Sequence, residues 1–243
     1  MEVTERTPLL SPQQRRLRNR QEVIDAILAA ARQIMRRDGV AALNLNEVAR
    51  LVGMQTPSLY KYFPSKFALY EALFRMALRL FRESEEQIWN TPQPIWERIE
   101  AWFETRLRLV QEHPDLYHLF LDNPVPGFLP SPQSLEEVRT IRTPGVQAIT
   151  EAMDAGLIAT HLTPDRVLDL LLAMRRGIIA EHLGKETHLP VGDERFHSLI
   201  PEVLALLKEA WAPAGNDEKQ EGVATGLQPA PDGELGHART TDS

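Results

Sequence analysis

The chain has no cysteine among its 243 residues, which removes disulfide bridges, thiolate nucleophiles and cysteine-ligated zinc together. It also lacks a long hydrophobic run. The greasiest stretch, residues 167–174, is interrupted by Asp169 and followed by Arg175 and Arg176, too short to cross a bilayer. Arg15, Arg16, Arg18 and Arg20 are not followed by the apolar segment of a signal peptide, so the expectation is a cytoplasmic chain with no membrane partner. Strand-like alternation is nowhere sustained. There is no glycine-rich phosphate loop and no nucleophile elbow, and His113, His118, His182 and His188 are scattered without an i, i+4 pair. No catalytic residue, metal site or cofactor is therefore expected.

A positive net charge is lacking as well: the total is −7, which taken alone argues against a nucleic-acid partner. The distribution reverses that inference. Residues 1–82 hold 14 Lys or Arg against 7 Asp or Glu, and the remainder hold 13 against 27. A basic N-terminal module joined to an acidic body is the pattern of a chain that approaches phosphate with one end only.

What is present is apolar content, 43% of residues, recurring at helical spacing, so the expected fold is all-α. Composition suggests a basic, unfolded arm over residues 1–18 and an acidic tail over 213–243, both poor in apolar residues and punctuated by proline or glycine. The first helix is expected over Gln21–Arg37, with Gly39 as its stop. Asn44 then caps a short helix, Glu47 three residues on completes a capping-box pattern, and Gly53 ends it. A second short helix is expected over Thr56–Tyr62, where Pro57 is tolerated in the first turn and Pro64 ends the run. Ser65 caps a helix reaching Trp89, roughly 37 Å long at 1.5 Å per residue, with a stripe that includes Phe67, Tyr70, Leu73, Phe74 and Phe81. Further helices are expected over 95–112, 114–122, 134–155 with a kink or break before Pro144, 164–186 and 194–211.

Two short helices around Gly53-Met54 have the layout of a helix-turn-helix: one braces, and the second can enter the major groove of DNA by its N-terminal end. Its outward positions are small, hydroxylated or cationic, chemistry that suits base edges and phosphates. Geometry alone equally describes a compact helical subdomain.

The residues themselves separate these readings. Gly53-Met54-Gln55-Thr56-Pro57-Ser58-Leu59-Tyr60-Lys61-Tyr62-Phe63-Pro64-Ser65-Lys66, with Gly39, the cap at Asn44 and Glu47-Val48-Ala49 before it, resembles the signature of the TetR family of bacterial transcriptional regulators. The resemblance in motif covers about residues 21–81, and the following helices resemble the family's body in layout. It implies a three-helix DNA-binding domain over residues 19–65 and a ligand-binding and dimerising body over 66–212. It also implies that Gln55, Thr56, Pro57, Tyr60 and Lys61 face base edges, while Ser58, Tyr62 and Lys66 hold phosphates, with Asn44 at the edge of the same surface. Leu59 and Phe63 should point into the core, and Tyr60 and Tyr62 have ordinary aromatic packing as an alternative role. Asn44 stands where Thr is more usual, Gln55 where Ser is, and Phe67 where an acidic residue is. Gln55 can read a base edge beyond the reach of Ser, so the preferred operator should differ.

In the body, the segment 164–186 is apolar on two sides, and 194–211 carries more leucine than a monomer surface should show. A four-helix bundle built by two copies would bury both, with Gly177, Ile178, Leu199, Val203, Leu206, Leu207 and Trp211 at the interface. The alternative is that they fill one monomer's core. Trp96, Trp102, Phe103, Tyr117, His118, Phe120 and Met174 are candidates for the wall of an apolar effector cavity. Arg175 and Arg176 join them because no acidic residue lies within helical reach of either, so each needs solvent, a partner on another helix or an anionic ligand. The expectation is a homodimeric repressor that binds a palindromic DNA operator and is released by an unknown small-molecule effector. An activator of the same fold and a helical adaptor without a DNA role are the alternatives.

Overall fold

The computed structural model describes residues 11–122, 124–186 and 196–213, and among them the only regular structure is helical. Helix α1 (Pro12–Asp38) takes in the last seven residues of the expected unfolded arm. The reason is local. Ser11 Oγ accepts from the Gln14 amide at 3.2 Å while Gln14 Oε1 accepts from the Ser11 amide at 2.8 Å, a reciprocal cap that satisfies two free N–H groups and starts the helix early. The first ten residues of the arm, and residues 214–243 of the expected tail, lie outside the described residues.

Gly39, at φ 91°, ends α1 and leads through a 3-10 turn at Val40–Ala42 into α2 (Leu45–Val52). Gly53, in the left-handed region at φ 74°, then turns the chain into α3 (Thr56–Leu59). Helix α3 is a single turn where a longer helix to Tyr62 was expected, and residues 60–62 continue as turns. The pattern of inward residues is nonetheless kept: Leu59 and Phe63 are buried in the chain's core.

Helix α4 (Lys66–Trp89) is capped by Ser65, whose Oγ accepts from the Ala68 amide at 3.0 Å. Its buried stripe runs Leu69, Tyr70, Leu73, Phe74, Ala77, Leu78, Phe81, Glu85 and Trp89. Phe67, expected in that stripe, is instead 45% exposed, one position off the inward register. Around α4 pack α1, α5 (Ile95–Glu112), α6 (Pro114–Leu121), α7 (Pro132–Thr140) and α8 (Thr143–Asp154). Helix α9 (Pro164–Glu186) lies on α8 and α5, and α10 (Leu199–Ala210) lies on α5. The helix expected over 134–155, with a kink or break before Pro144, is broken into two there. Ser131 caps the first, and the second restarts at Thr143 where Pro144, lacking an N–H, costs nothing in a first turn.

One compact unit ends at Ala212. The boundary expected at 65/66 is therefore not a gap in packing, and two sets of contacts cross it. The Tyr70 hydroxyl on α4 donates to the Val40 carbonyl at 2.6 Å, and Arg32 and Arg36 on α1 grip Asp115 on α6.

Candidate nucleic-acid interface and buried cavity

Helix α3 stands at the surface beside the start of α4. Gln55, Pro57, Tyr60 and Lys61 are exposed, and Thr56, Ser58, Tyr62 and Lys66 are half-buried, so all eight keep accessible surface. The Thr56 hydroxyl donates to Asn46 Oδ1 at 3.0 Å, which braces α3 against α2. The Arg20 guanidinium lies 5.1 Å from the centroid of the Tyr62 ring and adds positive charge beside it. Lys66 Nζ donates to the Ala41 carbonyl at 3.3 Å and sits 5.5 Å from the Tyr70 ring.

Asn44 is exposed, but its Oδ1 accepts from the Asn46 amide at 2.9 Å, so it closes the end of α2. The capping box expected with Glu47 does not form. Glu47 turns outward to Arg37 at 2.8 Å and Arg50 at 3.6 Å, cations that offer a charged partner where the cap offers only an amide.

The body holds a cavity of about 270 Å³ between α4, α5, α6, α7 and α9. Of the nine effector residues chosen from sequence, Trp102, Tyr117, Phe120, Arg175 and Arg176 line it. The other four do not. Trp96 stacks on Trp211, ring centroids 6.1 Å apart, and closes α5 against α10. Phe103 is fully buried one position round from Trp102, and His118 pairs with Asp122 at 2.7 Å near the surface. Met174 faces away because the inward residues of α9 are Leu168, Leu172, Arg175 and Ile179, spaced three or four apart, and 174 lies off that stripe.

At the cavity wall sits a buried polar cluster that sequence reading found only in part. The Glu85 carboxylate accepts from Arg106 at 2.5 Å, from the Trp89 indole at 3.0 Å and from the Trp102 indole. Arg175 Nη1 reaches Glu85 Oε1 and the Trp102 carbonyl, both at 3.4 Å, and the guanidinium carbon lies over the Trp102 ring, 3.3 Å from its centroid. Burial alone would raise the Glu85 carboxyl, but Arg175, Arg106 and the indoles outweigh it and hold it below the usual carboxylate range. Burial draws the Arg175 guanidinium down to about 9, against the opposing pull of Glu85. Glu85 and Arg106 were both legible as charges in apolar registers. Glu85 lies four residues from both Phe81 and Trp89, and Arg106 four from Trp102.

Of the residues assigned to a dimer face, Gly177 and Leu206 are exposed, Leu206 by 66%, Leu199 is 39% exposed and Val203 is half-buried. Ile178, Leu207 and Trp211 belong to the chain's own core, because α10 turns them onto α5 and α9 turns Ile178 inward. Among the described residues, a Cβ on Gly177 would meet nothing within 4 Å.

These features define a helical protein with a helix-turn-helix head, one long helix shared with a body, and a cavity walled partly by that helix. Residues 27–73 match the profile of bacterial regulatory proteins of the tetR family. That match takes in the helix-turn-helix head and the first turns of α4, and this part of the chain is similar to the family. The chain is similar to an uncharacterised helix-turn-helix transcriptional regulator of Mycobacterium tuberculosis, 36% identical over 93 residues, 38% of this chain. That match spans 46% of the relative, so the chain spans about half the length of the curated relatives it first matches. Among solved structures, a TetR/AcrR transcriptional regulator from Thermobifida fusca superposes with a TM-score of 0.58 at 19% identity, over 79% of this chain and 97% of that one. The regulator FadR from Bacillus subtilis, solved with stearoyl-CoA, superposes with a TM-score of 0.59 at 16% identity, over 75% and 96%.

Proposed function

We propose that the protein is a transcriptional repressor that binds a palindromic operator as a homodimer and is released when a small molecule enters the cavity. The observation that carries this reading is the position of α4. Its first residue, Lys66, adjoins the exposed turn of α3, while Glu85 and Trp89, near its other end, form part of the cavity wall. A ligand that favours one placement of α4 therefore alters where the reading head sits, and it does so only as far as its affinities for the two placements differ. The exposed Leu199 and Leu206 and the uncovered surface at Gly177 support a second copy docking there, since an operator palindrome is read by a two-fold pair of recognition helices about 34 Å apart.

Gln55, Thr56, Pro57, Tyr60 and Lys61 then contact bases, and Ser58, Tyr62 and Lys66 contact phosphates. To do so Lys66 leaves the Ala41 carbonyl, 3.3 Å away, and the face of the Tyr70 ring. Trp102, Tyr117, Phe120, Arg175 and Arg176 contact the effector. The B. subtilis relative carries stearoyl-CoA, but a cavity of about 270 Å³ falls just short of the range of about 300–1,000 Å³ for drug-sized sites, which favours a much smaller ligand here. Electrophoretic mobility shift with DNA from upstream of the protein's own gene tests the reading. Retardation that is lost on mutating Lys61 and Lys66 together supports it; affinity no greater than for scrambled DNA overturns it.

A further inference from the structure

The cavity lining holds four arginines, Arg106, Arg142, Arg175 and Arg176, against two carboxylates, Glu85 and Asp169, and of the two cations in excess Arg175 is the buried one. Glu85 is already matched by Arg106 at 2.5 Å and by two indole N–H groups. Arg175 is left with two contacts of 3.4 Å, both from the same nitrogen, and its Nε is buried without a partner. The residue is 5% exposed, so water from outside does little to screen it. Elsewhere on the lining, Arg142 is neutralised by Asp169 at 2.7 Å, and Arg176 adds a further cation at the exposed side. The remaining wall is aromatic and aliphatic, with Phe120, Leu168, Leu172 and Ile179 facing the space.

A buried guanidinium with free donors favours an acceptor that carries charge, because an unmatched charge in a low-dielectric site is costly and its pairing is correspondingly strong. Its planar fork fits the two oxygens of a carboxylate. Resting on the reading of this cavity as the effector site, we infer that the effector is a small monocarboxylate with an apolar aryl or short acyl body, its carboxylate held by Arg175 in front of Trp102. A neutral molecule would leave the Arg175 charge as it stands, and a cation would meet two guanidiniums.

The test is calorimetric titration of the full-length chain with benzoate, phenylacetate and hexanoate, each compared with its primary amide, which has nearly the same shape and no charge. At least one acid should bind, and its amide should bind tenfold more weakly or worse. Arg175→Met should abolish the preference for the acid, whereas Arg139→Met, which removes an exposed arginine of α7 outside the cavity lining, should change it less than threefold. Glu85→Gln removes the competing carboxylate, so the acid should bind tenfold more tightly while the amide does not gain. Damage to the cavity alone would weaken both. Thermal unfolding monitors the fold of each variant, and the acid should raise the melting temperature of Glu85→Gln by more than that of the parent. Amides that match their acids, an acid preference surviving in folded Arg175→Met, or failure of all three acids to bind each overturn the inference. Mobility shift on the same preparations separates it from the functional reading. Acid selectivity in a chain that ignores DNA overturns the regulator and leaves the ligand chemistry standing, and DNA binding with indifferent acids does the reverse.

Discussion

Arg32 and Asp115, 83 residues apart in the chain, meet through two hydrogen bonds of 2.7 and 3.2 Å, and Arg36 joins them at 2.8 Å. The pair ties α1 of the reading head to the first turn of α6 in the body. The Asp115 side chain is fully buried, whereas those of Arg32 and Arg36 are 20% and 45% exposed. Asp115→Asn would thus leave two cations half-solvated, and the expected loss is about 2 kcal/mol, below the 3–5 of a fully buried pair. Burial raises the Asp115 carboxyl, but Arg32 and Arg36 outweigh it and set it below its ordinary value. Its contribution is present above the unfolded value of about 3.9 and is lost as pH falls through the lower folded value. Urea unfolding should show the gap between parent and Asp115→Asn at neutral pH and its closure in acid. A gap that persists unchanged in acid contradicts the assignment.

His113 adds a second titration at the same junction. Its Nδ1 lies 2.9 Å from an Arg32 nitrogen and 3.3 Å from an Arg36 nitrogen, and since guanidinium only donates, Nδ1 accepts and the ring is neutral. Burial and the two cations hold the imidazole below its ordinary range. The unfolded chain takes up a proton that the folded one declines, so stability falls as pH drops below about 6.5. Melting temperature followed from pH 7 to about 5.5 should decline less steeply in His113→Gln than in the parent.

DNA binding should divide by contact type. Lys66→Ala and Tyr62→Phe should weaken operator and scrambled DNA alike, and Lys66→Ala should lower the slope of log affinity against log salt by about one. Thr56→Val or Lys61→Met should instead change the ratio between the two DNAs, by about 1–3 kcal/mol per lost base contact. Fluorescence anisotropy across a salt series measures both quantities.

Gly145 in α8 faces the indole of Trp89: a Cβ there would lie 3.2 Å from two ring atoms and 3.4 Å from a Leu168 methyl carbon. Gly145→Val should force Trp89 aside and loosen its bond to Glu85, at a cost of about 1–3 kcal/mol in stability. The emission of Trp89 should shift with it, and thermal denaturation should show the loss.

The sequence carried the head more clearly than the body, for a physical reason. The head's signals are local: Gly53 with its left-handed backbone, Pro57 in a first turn, and Leu59 and Phe63 on the inward side of a short element. The body's cavity depends on which of several apolar helix faces meet, and helical spacing alone does not rank them. Trp96 and Trp102 are equally aromatic, yet one stacks on α10 and the other forms the cavity wall. Arg175 was legible through what its own helix lacked, an acidic residue within one turn, and its partner proved to be 90 residues away. Glu85 passed unnoticed because it occupies an apolar position in α4, where a charge is itself the signal. Helix α1 starts earlier than the composition implies because Ser11 and Gln14 form a cap that arginine-rich composition hides.

Helix α4 is unbroken from Lys66 to Trp89, and that makes it a lever. Between Glu85 and Lys66 it spans roughly 28 Å at 1.5 Å per residue, so a tilt of about 5° about the cavity end carries the other end through roughly 2.5 Å. The shift matches the length of one hydrogen bond, enough to take a side chain from contact with a base to none. On the proposed function, amplification of this kind needs no large rearrangement around a ligand: a pivot at the cavity end moves the atoms there by far less than it moves Lys66.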